Sequence, residues 1–200
     1  MKGTRPLSTD EIISVSNQFD GTFEIRNRSL FMLGVSVGGR ISELLALRID
    51  DVWQNGAPVS DLLFQKDIVK GKETARMIPV NDDGRKAIRD LIAWHRDQFG
   101  DLDPKRAFFM SRQGNALNRS EAHNMFKQAF AKAGLNEKPG KLSTHSMRKT
   151  FSQRFYEASH NVEFLRELLG HKTLNGISDY VTIPYNDLRE AVKAIELSRR

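Results

Sequence analysis

Apolar residues return at three- and four-residue intervals through most of the chain, and glycine closes one such stretch after another. "NRSLFMLGVSVGG" runs to Gly38 and Gly39, and "DGRKAIRDLIAWHRDQFG" to Gly100. "RSEAHNMFKQAFAKAGL" halts at Gly134 and "NVEFLRELLG" at Gly170. That spacing lines one face of an α-helix, and a glycine just past the last periodic residue supplies the left-handed turn that ends it. Ser8 with Glu11 forms a capping box opening a helix through about Gln18, and "RISELLALR" restarts helical spacing with Arg40 at the junction. Only "DLLFQKDIVKGKETARMIPVND" reads as a hairpin, two apolar strands about a polar tip. "DLDPKRAFFMSRQGNALN" reads as loop with one short apolar strand. The expected fold is mainly α with a small antiparallel β-sheet (α+β), a single domain over residues 1–200 with a final helix near 186–197.

Composition narrows the chemistry. The 200 residues include no cysteine, which excludes disulfides, thiolate metal sites and cysteine nucleophiles. No apolar run reaches membrane-spanning length and the N-terminus lacks a secretory signal, so a soluble cytoplasmic protein is expected. Thirty-one Lys and Arg against 25 acidic residues leave a net charge of +6, which favours a polyanionic partner. The cations are spread along the chain, so any binding surface has to be assembled by folding.

"STHSMRKTF" carries the first polar residues that the core pattern does not explain. Met147, Phe151 and Phe155 repeat every four residues and define the buried stripe, while His145 and Arg148 lie one turn apart on an offset face. Alone, the pair is an ordinary helix start. Further on, "LLGHKTLNGISDY" sets His171 just past a helix stop and Tyr180 in the segment after it. A C-capping histidine and a packed tyrosine would account for each singly. They do not account for "GGRISELLAL", "HSMR", "LLGH" and a following tyrosine in this order.

That order and spacing resemble the tyrosine recombinases, the phage-integrase type of DNA strand-exchange enzyme, over about residues 6 to 185. The resemblance implies an integrase-like catalytic domain in which Arg40, His145, Arg148 and His171 surround a phosphate and Tyr180 is the nucleophile. Lys149 and Thr182 depart from histidines common in the family. The family's catalytic lysine sits on the hairpin tip, where Lys70 matches best, Lys72 is second, and Lys66 is also present.

Phosphodiester cleavage explains the residue types. Attack builds charge on nonbridging oxygens, and arginine forks give paired charge-assisted hydrogen bonds to them at any working pH. A phenol with a pKa of about 10 needs help to lose its proton, the part implied for His145, with His171 as an added phosphate donor. Lys70 would protonate the leaving 5′ oxygen. No cofactor, ATP or metal is then required. Glu43 either braces Arg40 or stands exposed; the sequence leaves both open. Tyr156 and Tyr185 are rival hydroxyls outside the motif spacing.

The partners implied are double-stranded DNA, a homo-oligomer (tetramer) on that DNA, accessory DNA-bending proteins and the nucleoid of a prokaryotic or phage-infected cell, with no membrane. Leu188, Val192 and Ile195 of the final helix are expected to pack on a neighbouring subunit or on their own domain. The N-terminal core-binding domain common in the family is expected to be absent, as in an excised fragment or a naturally short catalytic-only member. A type IB topoisomerase and a catalytically silent DNA-binding module are the rival readings.

Overall fold

The computed structural model describes residues 3–64, 75–171, 173, 174, 177, 180, 181, 188, 189, 192 and 193. Helix α1 (Thr9–Ser16) opens as its sequence dictates: the Ser8 hydroxyl accepts the Glu11 N–H at 3.2 Å and the Glu11 carboxylate accepts the Ser8 N–H at 3.1 Å. Helix α2 (Glu24–Val37) is the centre of the molecule, with Leu30, Phe31 and Leu33 fully buried. It packs along α5 (Asp82–Phe99) and α7 (Thr144–Ser159). Between them lie α3 (Ile41–Leu45) and α4 (Ile49–Val52), and α6 (Arg119–Lys132) ends in a single 3-10 turn, Leu135–Glu137. Helix α8 (Val162–Leu169) follows α7 and stops at Gly170 in the left-handed conformation.

The fold is mainly helical as expected, but among the described residues there are two antiparallel pairs of strands, not one. The expected hairpin is β3 (Asp61–Phe64) against β4 (Arg76–Pro79), with Leu62 opposite Ile78 and alternate residues buried. The extra pair is β1 (Trp53–Gln54) with β2 (Ala57–Pro58), turning on Asn55 and Gly56, both at positive φ. Asn-Gly is the strongest two-residue hairpin signal, but the strands beside it are too short to show the alternation that marks a strand. The short strand expected within 101–118 does not form. Phe108 and Phe109 are buried there; an isolated bridge of Ala107 with Arg48 ties the segment to the rest, and a second, Met110 with Ala116, closes it on itself.

The main core joins α2, α5, α6 and the start of α7, with Phe19, Phe31 and Phe126 in mutual ring contact and Phe130 stacked on Phe126. A smaller cluster of Tyr156, Leu165, Leu169, Ile177 and Tyr180 holds the chain after α8. The hairpin tip with Lys66, Lys70 and Lys72 lies outside the described residues, as does Tyr185. Of the final helix only positions 188, 189, 192 and 193 are described; they are helical, and Leu188 and Val192 are exposed.

Candidate active site

Three chain segments meet where α2 ends. Gly38 takes φ +61, and a Cβ there would collide with the Phe151 ring of α7, so only glycine lets the α2 terminus sit this close to α7. The carbonyl thus exposed accepts Arg148 Nη1 at 2.8 Å. Arg148 Nη2 donates to the Leu169 carbonyl at the end of α8, also at 2.8 Å, and lies 3.3 Å from His171 Nε2. An arginine can only donate, so this contact puts the histidine's proton on Nδ1. Arg148, 1% exposed, is the largest fully buried side chain among the described residues, and its Nε has no partner among them.

Burial, then the nearby Arg40 charge, lowers the Arg148 pKa to about 10, so the group stays a cation near neutral pH. The sequence places Arg148 on a helix face offset from the apolar stripe; the structure buries that face too, against the ends of α2 and α8. Of the stripe, Met147 is fully buried and Phe151 and Phe155 are half-buried.

Arg40 precedes α3 and is half-buried. Its backbone N–H donates to Glu43 Oε2 at 2.7 Å and its Nη1 to Oε1 at 2.9 Å. Glu43 is wholly buried, which settles the choice left open above in favour of a brace. The same carboxylate receives both Nη atoms of Arg76, Nη1 at 3.1 Å. Burial opposes its ionisation, but the hydrogen bonds and charge of Arg76 and Arg40 outweigh that and hold its pKa below the ordinary value. Arg76 is the residue that sequence reasoning missed. Its signal was parity: it shares the inward face of β4 with Ile78, where a charge is unexpected.

His171 follows the Gly170 cap; its N–H donates to the Arg166 carbonyl at 3.0 Å and its carbonyl accepts Arg166 Nη1 at 2.9 Å. The ring meets Tyr180 edge-on, centroids 5.3 Å apart, and the Arg148 guanidinium carbon lies 5.5 Å from the Tyr180 ring centroid. Tyr180 is 4% exposed, held in a tight turn by its N–H to the Ile177 carbonyl at 2.8 Å. His145, half-buried at the start of α7, has its pKa lowered by burial and then by the Arg148 charge, so the neutral imidazole that can accept a proton is favoured.

Five of the six residues singled out from sequence are therefore described, with Arg148, His171 and Tyr180 in direct contact; the sixth, Lys70, falls outside the described residues. Arg40, Arg76 and Arg148 interact electrostatically around one carboxylate, a surplus of positive charge that suits an anionic ligand. Among the described residues no group of three or more His, Cys, Asp and Glu side chains is arranged to hold a metal.

Solved structures share this architecture. The crystal structure of XerA recombinase superposes with TM-score 0.73 at 19% identity, over 96% of this chain and 64% of that one. The Tn1549 transposon integrase in complex with transposon right end DNA gives 0.72 at 21%, over 98% and 67%. The fold is thus that of a tyrosine recombinase catalytic domain. The phage integrase family profile matches residues 5–186, and the chain belongs to that family. It is 28% identical over 197 residues to tyrosine recombinase XerD of Mycobacterium tuberculosis H37Rv, covering 93% of this chain and 59% of the relative. It is 29% identical over 194 residues to XerC of Caldanaerobacter subterraneus, covering 96% and 51%. The chain spans between half and three fifths of these relatives' length.

Proposed function

We propose that this chain is the catalytic domain of a site-specific recombinase that cuts and rejoins duplex DNA through a 3′-phosphotyrosine intermediate. The observation that carries this reading is the convergence of Arg148, His171 and Tyr180, from chain positions 148 to 180, in one positively charged cluster beside the Arg40–Glu43 pair. Arg40 and Arg148 clamp the nonbridging oxygens of the scissile phosphate, joined by His171. The Tyr180 phenol oxygen attacks phosphorus as its proton passes to His145, and the bond to the 5′ oxygen breaks. Lys70 gives that oxygen its proton. Religation reverses each transfer, so the bond energy is conserved in the phosphotyrosine and no nucleotide hydrolysis is needed.

The relatives' names and the DNA in complexes of similarly folded proteins support duplex DNA as substrate. The same reading extends to a homo-tetramer on that DNA, with accessory DNA-bending proteins, at the cytoplasmic nucleoid. Residues 1–200 then act as one catalytic domain, and the segment 186–197, where Leu188 and Val192 are exposed, is the part that passes between subunits. The test is to incubate the protein with fragments of its host genome, recover DNA that becomes SDS-resistant and protein-linked, and repeat with Tyr180→Phe. Adducts should vanish in the variant; adducts of equal yield refute the reading.

A further inference from the structure

We infer that Arg76, on the inward face of β4, is a positioning residue that sets the catalytic arginine Arg40 through their shared carboxylate, Glu43; the inference rests on the strand-cleavage reading above. The geometry carries it. Glu43 has no exposed surface, and both its oxygens are occupied on two sides, by the fork of Arg76 and by the backbone and side chain of Arg40. Arg76 is itself 6% exposed, its guanidinium 5.0 Å from the Phe64 ring centroid, so it is fixed by packing as well as by charge. Arg40, by contrast, keeps 22% of its side chain open to solvent.

That asymmetry assigns the roles. A carboxylate with only an outward-facing arginine as partner would be a buried, half-compensated charge, and Arg40 would have to turn inward to satisfy it. With Arg76 filling the inner side, Glu43 is stable as an anion. It then holds Arg40 through that residue's backbone N–H and one Nη. Arg76 also reaches the other wall of the pocket: a Cβ placed on Gly170 would lie 3.2 Å from Arg76 Cδ, so the arginine stem lies against the α8 cap that presents the Leu169 carbonyl and His171. One buried side chain on the hairpin thereby touches both the segment holding Arg40 and the segment holding Arg148's acceptor.

The test uses the full chain with Arg76→Met, Arg76→Lys and Arg76→Met/Glu43→Leu, assayed against genomic duplexes recovered as covalent adducts. Arg76→Met should lower the single-turnover rate of adduct formation at least tenfold while changing duplex affinity less than threefold. Its acid limb should move to higher pH, since Glu43 loses its main cation. Arg76→Lys should recover part of the rate, and the double variant should be no slower than Arg76→Met. A wild-type rate and pH profile in Arg76→Met, or a loss matching only the unfolded fraction by circular dichroism, overturns the inference. If Tyr180→Phe forms as much adduct as wild type, the cleavage reading is what has failed. The coupling is then read without DNA, from the Arg40 side-chain NMR signal: a shift in Arg76→Met upholds it and an unmoved signal ends it.

Discussion

Arg148 donates from one Nη to the carbonyl of Gly38, 110 residues earlier, at 2.8 Å, tying α7 to the end of the central helix α2. Its other Nη ties the same helix to α8, so a residue assigned to phosphate binding is also the joint between three helices.

Arg148→Met should therefore separate two effects. Leaving two buried carbonyls without donors costs about 1–3 kcal/mol each, partly offset by removing a desolvated cation close to Arg40. The net loss expected in urea unfolding is no more than about 3 kcal/mol. Covalent DNA trapping should fall at least about a hundredfold, the usual consequence of removing one transition-state donor. A loss of trapping no larger than the unfolded fraction explains would remove Arg148 from the chemistry.

Gly38→Ala should be costly out of proportion to a single methyl. Left-handed backbone costs an L-residue about 1–2 kcal/mol, and the clash with Phe151 adds about 1–3 kcal/mol. Chemical denaturation should show a loss of about 2–5 kcal/mol, whereas Gly114→Ala, also at positive φ but with nothing near its Cβ, should lose only the first part.

Stability should decline on mild acidification. His95 is fully buried in an aromatic setting, with Nε2 bonded to the Phe108 carbonyl at 2.9 Å and Nδ1 unpartnered. Burial lowers its pKa below 6.5, so the unfolded chain takes up the proton first. The stabilisation is complete above pH 6.5 and is lost as pH falls through the depressed folded value, at up to about 1.4 kcal/mol per pH unit. His145 adds in the same direction. Urea midpoints between pH 8 and 5 should fall, and fall less in His95→Leu; equal slopes would count against the assignment.

Glu11→Gln should free the N-terminal arm. Arg5 first, and Lys138 with it, hold the Glu11 pKa down to about 2, and the arm is paired to the stretch before α7 by Arg5 N–H to the Lys141 carbonyl at 3.1 Å and Lys141 N–H to the Gly3 carbonyl at 3.0 Å. Amide exchange at Arg5 and Lys141 should quicken in the variant. In the wild-type chain the same quickening should appear only as pH drops from 4.5 toward 2. Unchanged protection would show that the backbone pairing alone suffices.

Local chemistry alone was enough to specify the ends of several helices. The Ser8–Glu11 capping box and the stops at Gly38, Gly100 and Gly170 are interactions across three or four residues, and they lie where the pattern puts them. The order of the arginine, histidine and tyrosine motifs likewise sufficed to nominate the residues that the fold brings together. Tertiary structure alone decided that Arg148 is buried and not offset to solvent, that Glu43 is sealed between two arginines, and that Arg76 belongs to the site at all. The reason is physical: helical periodicity records which residues share a face, but a buried guanidinium is stable only where distant carbonyls and carboxylates meet it. Those partners, Gly38, Leu169 and Glu43, are set by how α2, α3, α7, α8 and the hairpin pack, which no short window of sequence contains.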